Sequence, residues 1–461
     1  MVYDDRIHEE CGVFGMWDAA RQDVAKAIYY GLLALQHRGQ EAAGIATCNS
    51  YGERGNLFLH KDMGLVTEVF DEKRLRELPG NLGIGHVRYS TTGDSNVSNA
   101  QPVASYYLKG TLALVHNGNI VNCASLKQKL MEEGATFHAT TDTEVIHVLL
   151  ARNRAKSGSI EEAVKLTVPQ LQGGYALIVM SPRKLVAVRD PWGLKPLCIG
   201  KTPGGYVLAS ESCALSAVGA EFIRDVEPGE IITISKHGLE SDLSLPPIKK
   251  AHCVFEYIYF ARLDSEIDGI NVYDARFRSG QALAEAFPVE ADIVSGVPES
   301  GLIAAAGYAD RAQIPFMQLF HKNSYVGRTF IKPTQAERES AVHIKLNVLK
   351  SVAKGKRIVL IDDSIVRGTT ITNLIRDLRA AGAKEVHVRI SSPRFLHPCY
   401  YGTDVPDDSQ LLANRFSVEE IRERIGADSL GYMRIEDLDR AVEGLPLCKA
   451  CFNGEYPTDL T

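Results

Sequence analysis

Asp362 and Asp363 stand side by side between an apolar run, residues 358–361, and a small polar one, Ser364-Ile365-Val366-Arg367-Gly368-Thr369-Thr370. Adjacent carboxylates can take sugar hydroxyls or a hard cation such as Mg²⁺. The backbone N–H groups of a small-residue loop that opens a helix suit a phosphate. Such a loop needs a strand before it and a helix after it. Residues 358–361 read as a strand buried on both faces. Ile371, Leu374, Ile375 and Leu378 recur at helical spacing, and Gly382 closes that helix. A loop so placed lies at the carboxyl edge of a parallel sheet, where open α/β folds bind ligands.

A second set of chemically able residues lies far upstream. Cys11 is followed by Gly12 and an apolar Val13-Phe14 pair that could start a strand. Alone it reads as a packed thiol. Arg88 sits in Gly85-His86-Val87-Arg88-Tyr89-Ser90-Thr91, Asn117-Gly118 ends an apolar run, and Asp142 follows Thr141. Separately these read as a surface ion-pair partner, a hairpin turn and a capping box for a helix over 145–151. Together they supply a nucleophile, an amide beside a glycine N–H for an oxyanion, and a cation and an anion to grip an amino acid. A glutamine amide hydrolase needs that set.

The remaining elements form a frame for the two sets. A helix is predicted over 24–35, strands over 174–179, 185–190, 231–234 and 385–391, and a Pro-containing linker over 241–250. The chain has 461 residues, 45% hydrophobic and 23% charged, enough for two to three domains. A net charge of −6 gives no basic face for nucleic acid or an anionic membrane. No apolar run reaches the ~18 residues of a membrane span. The acidic N-terminus has no secretory core, so the cytoplasm is expected. Nine scattered cysteines argue against a disulfide framework. Only Cys448 and Cys451 form a close pair, and zinc would want a second pair that is absent. Cys48, Cys123, Cys198 and Cys213 are expected to pack as small hydrophobes.

The upstream motifs, Cys11-Gly12-Val13-Phe14-Gly15, HRGQE at 37–41, GHVRYST at 85–91, HNGNI at 116–120 and TTDTE at 140–144, resemble class II glutamine amidotransferases. IVLIDDSIVRGTT at 358–370 resembles the signature of type I phosphoribosyltransferases for phosphoribosyl pyrophosphate (PRPP). In this order they are similar to the glutamine PRPP amidotransferase family. The resemblance implies an α+β N-terminal-nucleophile hydrolase domain (an αββα sandwich, 11–245), then an α/β type I phosphoribosyltransferase domain with a parallel sheet (251–430) and a tail (431–461). It implies that residues 1–10 are a propeptide, whose removal gives Cys11 a free α-amine. That amine, with a pKa near ~7.7–8, could accept the thiol proton.

The same resemblance implies the site roles. Cys11 is the nucleophile, Asn117 and Gly118 bind the oxyanion, Arg88 the glutamine carboxylate and Asp142 its amine. Asp362 and Asp363 take the ribose hydroxyls and Mg²⁺, and Thr369 and Thr370 the 5′-phosphate. The loop 294–301 would hold pyrophosphate, with Ser300 as a Mg²⁺ ligand or simply a helix N-cap. Lys322 and Arg328 would meet pyrophosphate from a closing loop, in which Ser324 replaces a usual Arg. The stretch 253–260 resembles a domain-entry strand. Cys253, Cys399, Cys448 and Cys451 align with ligands of a [4Fe–4S] cluster. The basic residues of 354–357 would serve purine-nucleotide inhibitors or form a solvated turn.

The implied activity makes 5-phosphoribosylamine, glutamate and pyrophosphate from PRPP, glutamine and water. Ammonia would pass between the sites through an apolar passage. One Mg²⁺ and one cluster per subunit and a homotetramer complete the expectation. Another class II amidotransferase would lack the 358–370 signature. A non-catalytic PRPP-binding regulator fits poorly with the acidic balance and the intact Cys11 set.

Overall fold

The computed structural model describes residues 11–20, 23–51, 56–89, 95–246, 248–323, 346–403, 405 and 408–460. Strand β1 (Gly12–Asp18) follows Cys11 directly. Its residues alternate: Val13 and Trp17 pack into one apolar cluster, Phe14 and Met16 into another. A strand apolar on both sides needs cover on both. The helix Val24–Ala34 covers the Phe14 side, and a second sheet covers the other.

The strands that follow are β2 (Ala42–Cys48), β3 (Leu57–Met63), β4 (Leu82–Arg88), β5 (Val103–Tyr107), β6 (Gly110–Ile120), β7 (Gly173–Ser181) and β8 (Lys184–Arg189). Then come β9 (Cys198–Thr202), β10 (Gly205–Ala209), β11 (Glu221–Asp225), β12 (Ile231–Ser235) and β13 (Gly238–Asp242). Among the described residues they form two antiparallel sheets, ordered β11-β9-β10-β1-β4-β2-β3 and β13-β12-β8-β7-β6-β5. In β6, Ala113 and Val115 meet Val13 between the sheets, while Leu112 and Leu114 face outward onto the helices Asp142–Lys156 and Ile160–Thr167. The layers are helix, sheet, sheet, helix, as the αββα expectation requires. β13 takes Ser241 and Asp242 out of the linker predicted at 241–250.

The second domain opens with β14 (His252–Cys253), only two residues long. The predicted strand through Phe260 does not form: Glu256–Phe260 is a single π-helical turn. The aromatics give the reason. Phe255 and Phe260 pack edge to face at 5.0 Å in one core with Phe395, whereas an extended chain would send them to opposite faces. The Arg276 guanidinium donates to Tyr257 O (2.9 Å) and Ala261 O (2.8 Å), satisfying carbonyls at this turn.

A hairpin of β15 (Glu266–Ile267) and β16 (Ile270–Asn271) leads to the helix Val272–Ala286. After β17 (Ile293–Gly296), β18 (Phe320–Lys322) pairs antiparallel with β19 (Leu346–Val348). β17, β20 (Arg357–Asp362), β21 (Glu385–Ile390) and β22 (Ser429–Tyr432) form a parallel sheet in that order. β20 is buried on both faces, as read from its sequence. Val359 and Ile361 meet Ala304 and Ala305 of the helix Gly301–Ala312. Ile358 and Leu360 meet Ile371, Leu374, Ile375 and Leu378 of the helix Thr369–Ala380. The domain end expected at residue 430 falls inside β22. β23 (Leu447–Cys448) pairs parallel with β14, returning the tail to the domain's entry. No described helix is long and apolar enough to cross a membrane.

Candidate active site

Cys11 is half-buried, and the pairing of Gly12 with Val87 sets it opposite Arg88 on β4. Its Sγ donates to Tyr89 O at 3.5 Å. Strand alternation puts Cys11 and Arg88 on the same inter-sheet face as Val13 and Ile84, and Asn117 on that face with Ala113 and Val115. The sheets are tied together at this end. His86 Nε2 donates to His116 O (3.0 Å), and Gln101 both accepts from His116 N (2.6 Å) and donates to its O (3.1 Å). The thiol, the guanidinium and the amide, remote in sequence, therefore converge at one end of the sandwich. His86 stays neutral: burial first, with nearby cations, pushes its pKa down to about 3.

Asn117 is fully buried, and among the described residues neither Nδ2 nor Oδ1 has a hydrogen-bond partner. An unpaired buried polar group costs roughly 1–3 kcal/mol, so its presence here asks for a ligand that removes the cost. Gly118 follows at φ +130°, paired with Tyr175, and a Cβ there would lie 2.1 Å from Gly174 O. Only glycine fits. Asn117-Gly118 is not a hairpin turn, because β6 continues to Ile120.

Arg88 is buried, and its Nη1 donates to Glu41 Oε1 (3.2 Å), while Glu41 N donates to Arg88 O (3.0 Å). The HRGQE loop thus orients the cation. Asp142 is the first residue of its helix; Thr141 is the N-cap, accepting from Thr143 N at 3.3 Å. The predicted capping box is absent, since Glu144 accepts instead from His138 N (2.9 Å) and Ala139 N (2.7 Å). Asp142 accepts from Ile120 N (3.1 Å), with His116 Nδ1 at 3.5 Å. Burial opposes its charge, but His116 and these hydrogen bonds outweigh it and hold the carboxyl below the ordinary range. An anion kept charged beside the end of β6 can bind an ammonium.

Arg38, which carries no role in the sequence reading, is fully buried and bridges Glu211 of the first domain and Glu256 of the second. His37 Nε2 (2.7 Å) and Ser265 Oγ (2.6 Å) also meet Glu211. Burial works against that carboxylate, yet His37 and Arg38 hold it well below its ordinary range. The readable signal for this bridge is Glu256, a carboxylate inside the apolar-aromatic run 254–260.

Asp362 and Asp363, both buried, line a pocket with Ser364, Ile365, Val366, Gly368, Thr370 and Ile371. Thr369 and Thr370 open the helix behind it. Ser300 occupies the N-cap position of the helix Gly301–Ala312 but makes no side-chain cap bond; its hydroxyl donates to Asp363, as does that of Ser364. The loop after β17 lies beside the acid pair because Gly296 pairs with Ile361 and Val297 N donates to Ile361 O (2.8 Å). Lys322 Nζ reaches Glu299 Oε1 in that loop at 2.7 Å. Arg328 and Ser324 lie outside the described residues. In the basic turn, Arg357 pairs with Asp292 (3.1 Å) and Glu290 (3.4 Å).

Cys253 pairs in register with Cys448, and both line one pocket with Cys399 and Cys451. Burial raises the Cys451 thiol, and Cys399, Cys448 and Cys253 add to that rise. Among the described residues no three His, Cys, Asp or Glu side chains converge as a single-ion site.

A glutamine amidotransferase domain model matches residues 86–217, and a phosphoribosyl transferase domain model matches residues 274–393. The amidophosphoribosyltransferase of Methanocaldococcus jannaschii is 48% identical, covering 98% of both chains. That of Bacillus subtilis is 46% identical over 98% of this chain and 95% of its own. A solved glutamine PRPP amidotransferase from B. subtilis, complexed with ADP and GMP, superposes with a TM-score of 0.90 at 45% identity, covering 98% of each chain.

Proposed function

This chain belongs to the amidophosphoribosyltransferase family, and from that premise we propose how its own residues divide the reaction. The enzyme makes 5-phosphoribosylamine, glutamate and pyrophosphate from PRPP, glutamine and water, the first committed step of purine synthesis. Residues 11–245 carry the hydrolysis and residues 251–430 the transfer. Once residues 1–10 are removed, the α-amine of Cys11 takes the thiol proton and Sγ attacks the glutamine amide carbon. The C–N bond breaks as the leaving nitrogen takes the proton back from the α-ammonium and departs as ammonia, and water hydrolyses the thioester to glutamate. Asn117 and the N–H of Gly118 hold the oxyanion, Arg88 the carboxylate and Asp142 the ammonium. The ammonia crosses an apolar passage, because protonation in bulk water would remove its nucleophilic lone pair.

In the second domain Asp362 and Asp363 bind the ribose hydroxyls, and Thr369, Thr370 and the loop amides bind the 5′-phosphate. Lys322 and Arg328 meet the pyrophosphate. Ser300, Asp362 and Asp363 offer hard oxygen donors that fit Mg²⁺, and the bound ion would offset pyrophosphate charge. Cys253, Cys399, Cys448 and Cys451 fit a [4Fe–4S] cluster, which would tie the tail to the domain entry. One of each per subunit, a cytoplasmic homotetramer and purine-nucleotide inhibition complete the reading. The ADP and GMP in the B. subtilis relative support the nucleotide part.

The observation that carries this reading is the buried amide of Asn117, without a partner among the described residues, at the Cys11 end of the sandwich. Cys11→Ala should abolish glutamate release and leave synthesis from high ammonia intact. Asn117→Ala should lower glutamine-dependent kcat by about 10²–10³. Loss of ammonia-dependent synthesis in both variants would overturn the two-site division.

A further inference from the structure

We propose that the turn 400–402 of the second domain is a positioning element of the oxyanion site in the first. It rests on the glutaminase reading of Cys11, Asn117 and Gly118.

Gly118 has glycine neighbours on two sides, with little room for an added methyl on either. On one, Gly174 leaves it no room for a Cβ. On the other, Gly402 stands at φ +113°, and a Cβ at that residue would lie 3.2 Å from Gly118 C and 3.3 Å from its Cα. The same Cβ would lie 3.3 Å from Nζ of buried Lys195. The next residue of β6 is tied to the turn as well: Asn119 Nδ2 donates to Tyr400 O at 2.8 Å. Tyr401 packs its Cβ 3.3 Å from where a Cβ of Gly174 would stand. Tyr400 is therefore bonded to the residue after Gly118, and Tyr401 and Gly402 lie within a methyl's reach of Gly174 and Gly118.

A methyl added at Gly402 would meet the backbone of Gly118, the residue whose N–H, on the glutaminase reading, faces the developing charge. Oxyanion donors act through exact aim, so a shift of a few tenths of an ångström in the Gly118 peptide would weaken them. The turn in turn is anchored at Cys399, whose Sγ accepts from Tyr401 N at 3.4 Å. The second domain thus completes the first domain's site as well as receiving its product.

The test uses the full chain. Wild type is assayed first for glutamate release and for iodoacetamide labelling of Cys11; absence of both would overturn the glutaminase reading, whatever the turn does. In Gly402→Ala, glutamine-dependent kcat should fall about tenfold or more, part of the 10²–10³ that a lost donor costs. KM for glutamine, Cys11 labelling and ammonia-dependent synthesis should stay within about twofold. Asn119→Leu, a surface-side change, should lower the same kcat by a smaller factor with the same KM. If Gly402→Ala does not fold, Asn119→Leu decides. Unchanged kcat in the folded variants, a rise in KM alone, or an equal fall in ammonia-dependent synthesis would each overturn the proposal.

Discussion

Cys11, Arg88 and Asn117 sit on or beside three strands of two sheets, positioned by pairings and cross-sheet bonds before any ligand arrives. Asp362 ends β20 and Asp363 opens the loop after it, and the two serines that meet Asp363 come from that loop and the one beside it. The first site holds a buried amide with no partner among the described residues; the second is a pocket whose carboxylates already accept hydrogen bonds. The contrast follows the chemistry. Stabilising an oxyanion needs donors held rigidly out of water. Binding a highly charged phosphoribosyl ligand needs oxygen and N–H groups at an accessible sheet edge. A site assembled by long-range pairing should be sensitive to distant packing, and a loop site to its own residues.

The largest expected effect breaks the loop site alone. Replacing Asp362 and Asp363 together by Asn should remove PRPP turnover with either nitrogen donor while sparing glutamate release. Wild-type kinetics would show that the acid pair does not bind the ribose. Next, Arg38→Leu should destabilise the fold by about 3–5 kcal/mol, because Glu211 and Glu256 would keep buried charge without their shared cation. A urea melt reads this, and a loss under 1 kcal/mol would mean that water reaches the bridge.

The smallest effect concerns His86, between the sheets. Its folded pKa, about 3, lies below the ordinary 6.5. The unfolded chain therefore gains a proton below about pH 6.5 that the folded chain does not. Stability should be full above that pH and fall as pH drops toward 3, by up to about 1.4 kcal/mol per unit from this group. In His86→Gln the slope between pH 6.5 and 5 should flatten. An unchanged slope would place the charged form of His86 comfortably in the fold.

Much of this was legible in the chain. The run 358–370 encodes strand, loop and helix within a few residues, and the structure has all three with the expected faces buried. The helix at 24 and the strands of the first domain followed from local periodicity in the same way. Other local readings failed where tertiary packing competed. Glu256–Phe260 coils into a π-turn so that Phe255 and Phe260 share one core, and Glu144 leaves its capping box for the backbone of His138 and Ala139. Asn117-Gly118 has the letters of a hairpin, but β7 pairs with β6 straight through it.

By itself the sequence determined the two kinds of chemistry, the local elements that carry them and the family. Only the tertiary structure decided that Asn117 lacks a partner among the described residues, that Arg38 joins the two domains, and that Gly402 lies within a methyl's reach of Gly118. The physical reason is distance along the chain. Periodicity and capping are interactions between near neighbours, written into adjacent letters. The satisfaction of a buried polar group, or the closeness of two glycines, depends on which remote segment the packed core brings alongside.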